Sequence, residues 1–364
     1  MKRAKMKKSA VLLTIVSISV TLLCIIVLTY FIPTLNLLGN NLKDDDTNNN
    51  TFEPSSVVVP SKATPDVQDP IQIDDSVYQM KNLSGLVQPD TTNILLIGAD
   101  QDSDGSDARF DTMVICSIDE EAKTISLISV PRDTYVEYDS SVIEALRKAD
   151  YRYPHSPGMY KLNCAYFVGR TIKYNNKTLF KNSGMNFVHD IFLQKYGIDF
   201  TDYVYVDFNG FKDVVDAMGG LDVTLDYDLR VYHEDTGVVE LAIPEGRWHL
   251  NGDQVLLYAR NRHLYDQYGN QLSTTGDSFR KQNQLKLLVE MSRQLVTPAN
   301  ILKAPEILNS LQKTVYNSIG ASDIAKFTNI AMEFTKGHYK LQTYLVIGTD
   351  ADPMGDGADY VIVN

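Results

Sequence analysis

The sequence predicts an α/β protein: a single three-layer α/β/α domain with a mixed central sheet, preceded by one transmembrane helix and a flexible linker. Three observations carry this reading. After Asn93, short apolar runs bounded by turn residues alternate with longer segments of helical periodicity. A charge-free apolar run of helix length lies near the N-terminus. Between the two is a stretch rich in Asn, Asp, Pro, Ser and Thr with no sustained periodicity.

The chain has 364 residues, 22% charged and 44% apolar, an ordinary globular balance. Its net charge is −12, although residues 1–8 contain Lys2, Arg3, Lys5, Lys7 and Lys8, so the remainder is more acidic still. Such an acidic body argues against nucleic acid as a partner. Residues 9–32 carry no charge and, as a helix, would span roughly 36 Å, enough for a hydrocarbon core. Basic residues before this run and Asp44, Asp45 and Asp46 after it put residues 1–8 in the cytoplasm and the rest outside, anchored in the cell membrane by one pass. A cleaved signal peptide is the competing reading; the long run without a small-x-small site speaks against it. Residues 33–90 read as a disordered tether, on the order of 40 Å end to end if flexible, and residues 91–364 as the extracytoplasmic domain.

That domain opens with three strands, Asn93–Gly98, Met113–Ile118 and Thr124–Val130. Helical patterns follow at Asn163–Tyr174 and Met185–Lys195, then a strand at Tyr203–Phe208, a helix at Phe211–Met218 closed by Gly219 and Gly220, and strands at Leu221–Leu225 and Val238–Ile243. Three helices, Asp253–Ala259, Phe279–Val296 and Ser322–Phe334, precede closing strands at Leu341–Ile347 and Tyr360–Val363. Cys116 and Cys164 either pair outside the cell or remain two buried thiols. The six histidines are scattered, and no Gly-x-Ser-x-Gly elbow or GxxxxGK loop occurs.

Charges gather where the first strands end: Asp100, Arg109, Asp111 and Arg132. Open α/β sheets place ligands at such edges. Arg109 and Asp111 are two apart, so in an extended chain they share a side. Asp100 and Asp111 together suit Mg²⁺, or Mn²⁺, better than zinc; a purely structural Asp111–Arg109 pair is the alternative. Arg260 and Arg262 can reach one ligand only if their helix ends near Ala259. Arg280, Gln284, Leu288, Met291 and Leu295 follow one helical face that should point inward. Asp277 precedes Arg280 by three residues and can cap the helix or orient the arginine. Five arginines in an acidic body suit phosphate oxygens, which points to phosphoryl or pyrophosphate chemistry outside the cell.

At these residues the chain resembles the LytR-CpsA-Psr family of bacterial cell-envelope proteins. NILLIGAD, RFDTMVICSID, TISLISVPRDTYV, KLNCAYFVG, YVYVDFNGFKDVVDAMGGLDVTL, LNGDQVLLYARNRH and GDSFRKQNQ occur in family order. The resemblance implies transfer of a glycopolymer, teichoic acid-like or capsular, from a polyprenyl-pyrophosphate carrier to peptidoglycan in a Gram-positive type wall, with Mg²⁺. It implies Asp100 and Asp111 as metal-associated residues and Arg109, Arg132, Arg260, Arg262, Arg280 and Gln284 as pyrophosphate-binding ones. Asp277, Arg109, Asp111 and Arg132 would be catalytic. A lipid-pyrophosphate hydrolase and a noncatalytic envelope-binding or regulatory protein are the alternatives. Two departures stand out: a polar insertion, LYDQYGNQLSTTG at 264–276, and Asn283 where a second arginine is common.

Overall fold

The computed structural model describes residues 61–62, 72–99, 109–175, 179–233, 235–272, 276–295, 315–319 and 321–364. The expected membrane span 9–32 and most of the expected tether lie outside these residues. Among those described, no helix is long and apolar enough to cross a membrane.

In chain order the elements begin with strands β1 (Ser61–Lys62), β2 (Gln72–Met80), β3 (Thr92–Ala99), β4 (Phe110–Asp119) and β5 (Thr124–Val130). Helices α1 (Ser140–Ala149), α2 (Ala165–Thr171) and α3 (Ser183–Tyr196) follow, then β6 (Asp202–Asp207), α4 (Phe208–Ala217) and β7 (Leu221–Leu225). Next come β8 (Leu229–His233), β9 (Val238–Ile243), β10 (Gly246–Leu250), α5 (Gly252–Arg260) and α6 (Asp277–Leu295). The chain closes with β11 (Val315–Asn317), α7 (Ala321–Thr335), β12 (Lys340–Val346), β13 (Thr349–Ala351) and β14 (Tyr360–Ile362). These elements form two compact units, where the sequence suggested one.

The first unit comprises Pro70–Phe211, Lys313–Ile319 and Glu333–Asn364. Its seven-stranded sheet has the order β11-β6-β3-β4-β5-β12-β2. It is mixed: β3 runs parallel to β6 and antiparallel to β4, while β12 is parallel to both β5 and β2. Alternate residues of the central strands, among them Leu95, Ile97, Met113, Ile115 and Ile128, join Leu146, Val168, Val188 and Phe192 of the helices in one core. Each fully buried side chain of this kind contributes about 1.5–3 kcal/mol. Helices α2 and α3 meet through glycines: a Cβ on Gly169 would stand 2.5 Å from Phe187 Cβ and 2.9 Å from Gly184 Cα. Asn182 caps α3 by accepting from Met185 N at 3.1 Å, and Gly197 ends it with φ 69°.

Strand β2 corrects the tether reading of 33–90, because residues 72–80 pair along β12 at the sheet edge. Asp74 pins it there, accepting from Ser76 N at 3.1 Å and Tyr78 Oη at 2.9 Å, with Lys340 Nζ at 3.2 Å. Cys164 lies in the helix-side core whereas Cys116 alternates to the other face of β4, and both are free thiols.

The second unit draws on Lys212–Gln312 and Gly320–Met332 together with β1. It holds the antiparallel sheet β1-β10-β7 and the β8-β9 hairpin. Gly219 and Gly220 close α4 with φ 87° and 98°, as their pairing in the sequence suggested. Helix α6 departs from expectation. Rather than one inward stripe, Arg280, Lys281, Asn283, Leu285, Leu287, Val289 and Met291 are all buried, so several of its faces are covered.

Candidate functional site

In the first unit the site grows from an irregularity in β4. Ala99 pairs with Phe110 and Gly98 with Thr112, which makes Asp111 the extra residue of a β-bulge. The bulge interrupts the regular alternation between Phe110 and Met113, both of which face the core. Phe110 turns into the core against Tyr166, ring centroids 5.0 Å apart, while Asp111 remains partly accessible.

Beyond β5 the chain turns at Pro131, whose carbonyl accepts from Thr134 N at 3.2 Å and Thr134 Oγ1 at 2.6 Å. The next residues are held on both sides. Asn163 N donates to Arg132 O at 3.0 Å and Leu162 N to Thr134 O at 2.8 Å, while Val361 N donates to Asp133 O at 2.9 Å. Arg132 is thereby fixed in a hydrogen-bonded turn whose backbone is tied to two other segments. Its Nη1 donates to Asp111 Oδ1 in a close ion pair, and its Nε lies 3.4 Å from Asp133 Oδ2. Lys161 Nζ reaches Asp133 Oδ1 at 3.0 Å.

The result is an alternating run, Asp111, Arg132, Asp133 and Lys161, with side chains 18–21% exposed. They are desolvated enough to strengthen the pairing yet open to a ligand. Burial pushes the nearby Cys164 thiol up, against the opposing positive charges of Arg109 and Lys161; Arg109 itself is exposed. Lys161 and Asp133 were not singled out as site residues from the sequence. The structure adds them through the pairing of 132–136 with 160–163, a contact distant in sequence. Asn163 Oδ1, buried and without a hydrogen-bond partner, lies on the same paired segment.

The second unit gathers the remaining candidates. Asn251 and Gln254 form a capping box that starts α5, and Gly252 fits there because a Cβ would stand 2.6 Å from Lys212 O. The helix runs through Arg260 and turns extended at Asn261, one residue later than expected and still between the two arginines. Arg262 O then accepts from Gly276 N at 2.7 Å, and Gly276 O from Arg280 N at 3.2 Å. Gly276 has φ 132°, a conformation that favours glycine. Two turns into α6, Gln284 Nε2 donates to Ala259 O at 3.3 Å while its Oε1 is buried without a partner. The backbones of Arg262, Gly276 and Arg280 and the Gln284 side chain thus meet at the junction of α5 and α6, where Arg260 is the last residue of α5; Arg260 is exposed and Arg280 buried. Asp277 begins α6. Asn283, 2% exposed, donates to Tyr227 Oη at 2.9 Å, so it is a packing residue in this chain.

Asp100 lies outside the described residues. Among those described, no group of three His, Cys, Asp or Glu side chains converges as metal ligands. A Mg²⁺ ion that keeps its waters and takes substrate phosphate oxygens needs only one or two carboxylates, and the partly exposed Asp111 fits such a donor set.

An open mixed sheet with paired cations and carboxylates beyond its strand ends defines the class as a mixed α/β protein. Residues 57–364 match the LytR_cpsA_psr family, and the chain belongs to it. It is 27% identical over 259 residues to the polyisoprenyl-teichoic acid–peptidoglycan teichoic acid transferase TagV of Bacillus subtilis, covering 71% of this chain and 57% of that protein. It is likewise 27% identical over 234 residues to the regulatory protein MsrR of Staphylococcus aureus, covering 64% of this chain and 58% of MsrR. The chain thus spans less than three fifths of the length of these relatives. In fold it is similar to the crystal structure of B. subtilis TagV, with a TM-score of 0.52 and 23% identity over 76% of this chain and 92% of the other. A Streptococcus agalactiae protein gives a TM-score of 0.54 at 21% identity, over 75% and 82%.

Proposed function

We propose that this protein is a phosphotransferase that moves a glycopolymer from a polyprenyl-pyrophosphate carrier to peptidoglycan, releasing polyprenyl phosphate. The observation that carries the reading is the Asp111–Arg132 pair, set at a bulge and locked by backbone pairing on both sides of Arg132. The TagV relative, named for transfer of teichoic acid to peptidoglycan, supports the same class.

In this reading an acceptor sugar hydroxyl attacks the phosphorus that bears the glycan. The new O–P bond forms as the bond to the lipid phosphate breaks, and negative charge spreads over the phosphoryl oxygens. The Arg132 guanidinium stabilises the charge on those oxygens while Asp111 holds its orientation, and Lys161 adds a second cation. Arg109, Arg260, Arg262, Arg280 and Gln284 bind pyrophosphate oxygens; Asp277 completes the catalytic set. Asp111, with Asp100, would hold Mg²⁺ (or Mn²⁺), which neutralises phosphate charge when bound. Residues 9–32 anchor the protein in the cell membrane with residues 1–8 inside, and the domain acts outside.

The test is incubation of the full chain with a lipid-pyrophosphate glycan, peptidoglycan and Mg²⁺. Ligated glycan with equimolar polyprenyl phosphate is expected, and Arg132→Ala and Asp111→Ala should each lower turnover by about 10²–10³-fold. Free phosphorylated glycan without ligation would make it a hydrolase. Lipid binding without turnover would make it the noncatalytic protein that the MsrR name brings to mind.

A further inference from the structure

Residues 264–272 of the insertion fold back on themselves. Leu272 N donates to Leu264 O at 2.8 Å and Asp266 N to Asn270 O at 3.0 Å, with Tyr265 bridging Gln271. Asp266 is its sole charge, and that carboxylate is consumed by the turn: it accepts from Tyr268 N at 2.8 Å, Asn270 N at 2.9 Å and Asn270 Nδ2 at 2.8 Å. These bonds hold it below the usual carboxylate range, with the Asn270 side chain the largest cause.

This small hairpin packs on the β8-β9 ribbon. Tyr232 pairs with Val239 and Arg230 with Leu241, so Tyr232, Val239 and Leu241 share a face. Tyr265 stacks on Tyr232 with ring centroids 5.5 Å apart and planes at 27°. Gly269 sits over Val239, where a Cβ would be 3.1 Å from Cγ2. Apolar surface nevertheless stays in water: Tyr268 is 81% exposed, Leu241 43% and Tyr232 39%.

We propose that Tyr232, Tyr265 and Tyr268 form a saccharide-binding platform that holds a pyranose chain next to the arginine junction. Rigid tyrosine faces match the C–H faces of pyranose rings, and their hydroxyls remain free to hydrogen-bond. Gln267 adds an amide group of the kind that bonds sugar hydroxyls and acetamido groups. The inserted residues carry no cation to attract an anionic membrane surface. The hairpin is also rooted at the site itself, since Gly276 N bonds Arg262 O and α6 with Arg280 begins one residue later. The segment that carries Tyr265 and Tyr268 is thus joined in the chain to Arg262 on one side and to α6 on the other. Which glycan is bound rests on the proposed transferase reading, and the peptidoglycan acceptor strand is the one to which this inference commits.

The experiment measures binding of soluble peptidoglycan glycan strands to the full chain by saturation-transfer NMR, in the absence of lipid substrate, alongside the transfer assay. Tyr268→Ala and Tyr232→Ala should weaken glycan binding at least fivefold and raise KM for the acceptor with kcat retained, while Tyr268→Phe keeps most of the binding. Strand binding equal in wild type and the alanine variants, or no binding by wild type, overturns the platform. So does a concentration-dependent dimer that Tyr268→Ala dissolves, because the face would then be an interface between copies. Glycan binding lost in the variants, in a chain with no transferase turnover, upholds the platform and defeats the transferase reading instead.

Discussion

Asp111 is the extra residue of a bulge, and Arg132 is the residue that holds it. The pair combines a charged hydrogen bond with a backbone that cannot drift, so the identity of the cation matters as well as its charge. Arg132→Lys should lose about as much turnover as Arg132→Ala, because an ammonium cannot grip a carboxylate and a phosphate through one planar fork; near-wild-type turnover of the lysine variant would show that charge alone suffices. Asn283 is the opposite case. Its bond to Tyr227 is buried, so Asn283→Ala should lower stability by about 1–2 kcal/mol in denaturant melts and leave turnover within a few fold. Asp111 and Arg132 were legible in the sequence because each follows or begins an apolar run. Lys161 and Asp133 were not, since their 3.0 Å pair exists only once residues 132–136 lie along 160–163. The bulge, too, is invisible to a period-two pattern, which assumes the alternation that a bulge interrupts.

At the scale of elements, the strands between Asn93 and Val130 and the helices at α3, α5 and α6 follow their apolar periodicity to within a few residues. Two elements do not announce themselves. Helix α1 buries chiefly Val142 and Leu146, too short a stripe to stand out. Strand β2 carries Asp74 and Asp75, residues that disfavour strands, and sits in a polar neighbourhood that reads as linker. Only as an edge strand, with its carboxylate bonded locally, is such a sequence stable. Asp74 is lowered from 3.8 to about 2, chiefly by the Ser76 N–H, then by the Tyr78 hydroxyl and Lys340. Because the folded value is depressed, the stabilisation is full above pH 3.8 and is lost as pH falls through about 2. In hydrogen exchange, Asp74→Asn should loosen residues 72–80 at pH 6, with wild type and variant converging near pH 2; equal protection at pH 6 would mean that Asp74 does not pin the strand. The α2–α3 contact gives a second element-scale prediction. Gly169→Ala would drive a Cβ to 2.5 Å from Phe187 Cβ, and the overpacking should cost about 1–3 kcal/mol in thermal or denaturant unfolding.

For the whole molecule, the family match across 57–364 and the two compact units supply a frame in which the first unit carries the Asp111–Arg132–Asp133–Lys161 run. The chemistry assigned to that frame is transfer rather than hydrolysis, and one assay separates them. A doubly labelled lipid-pyrophosphate glycan is incubated with the full chain, peptidoglycan and Mg²⁺, and both products are quantified by mass spectrometry. The account predicts glycan joined to peptidoglycan through a phosphodiester, one polyprenyl phosphate released per linkage, and a loss of about 10²–10³-fold for Arg132→Ala. Unattached phosphorylated glycan as the product, or undiminished transfer by Arg132→Ala, would contradict it.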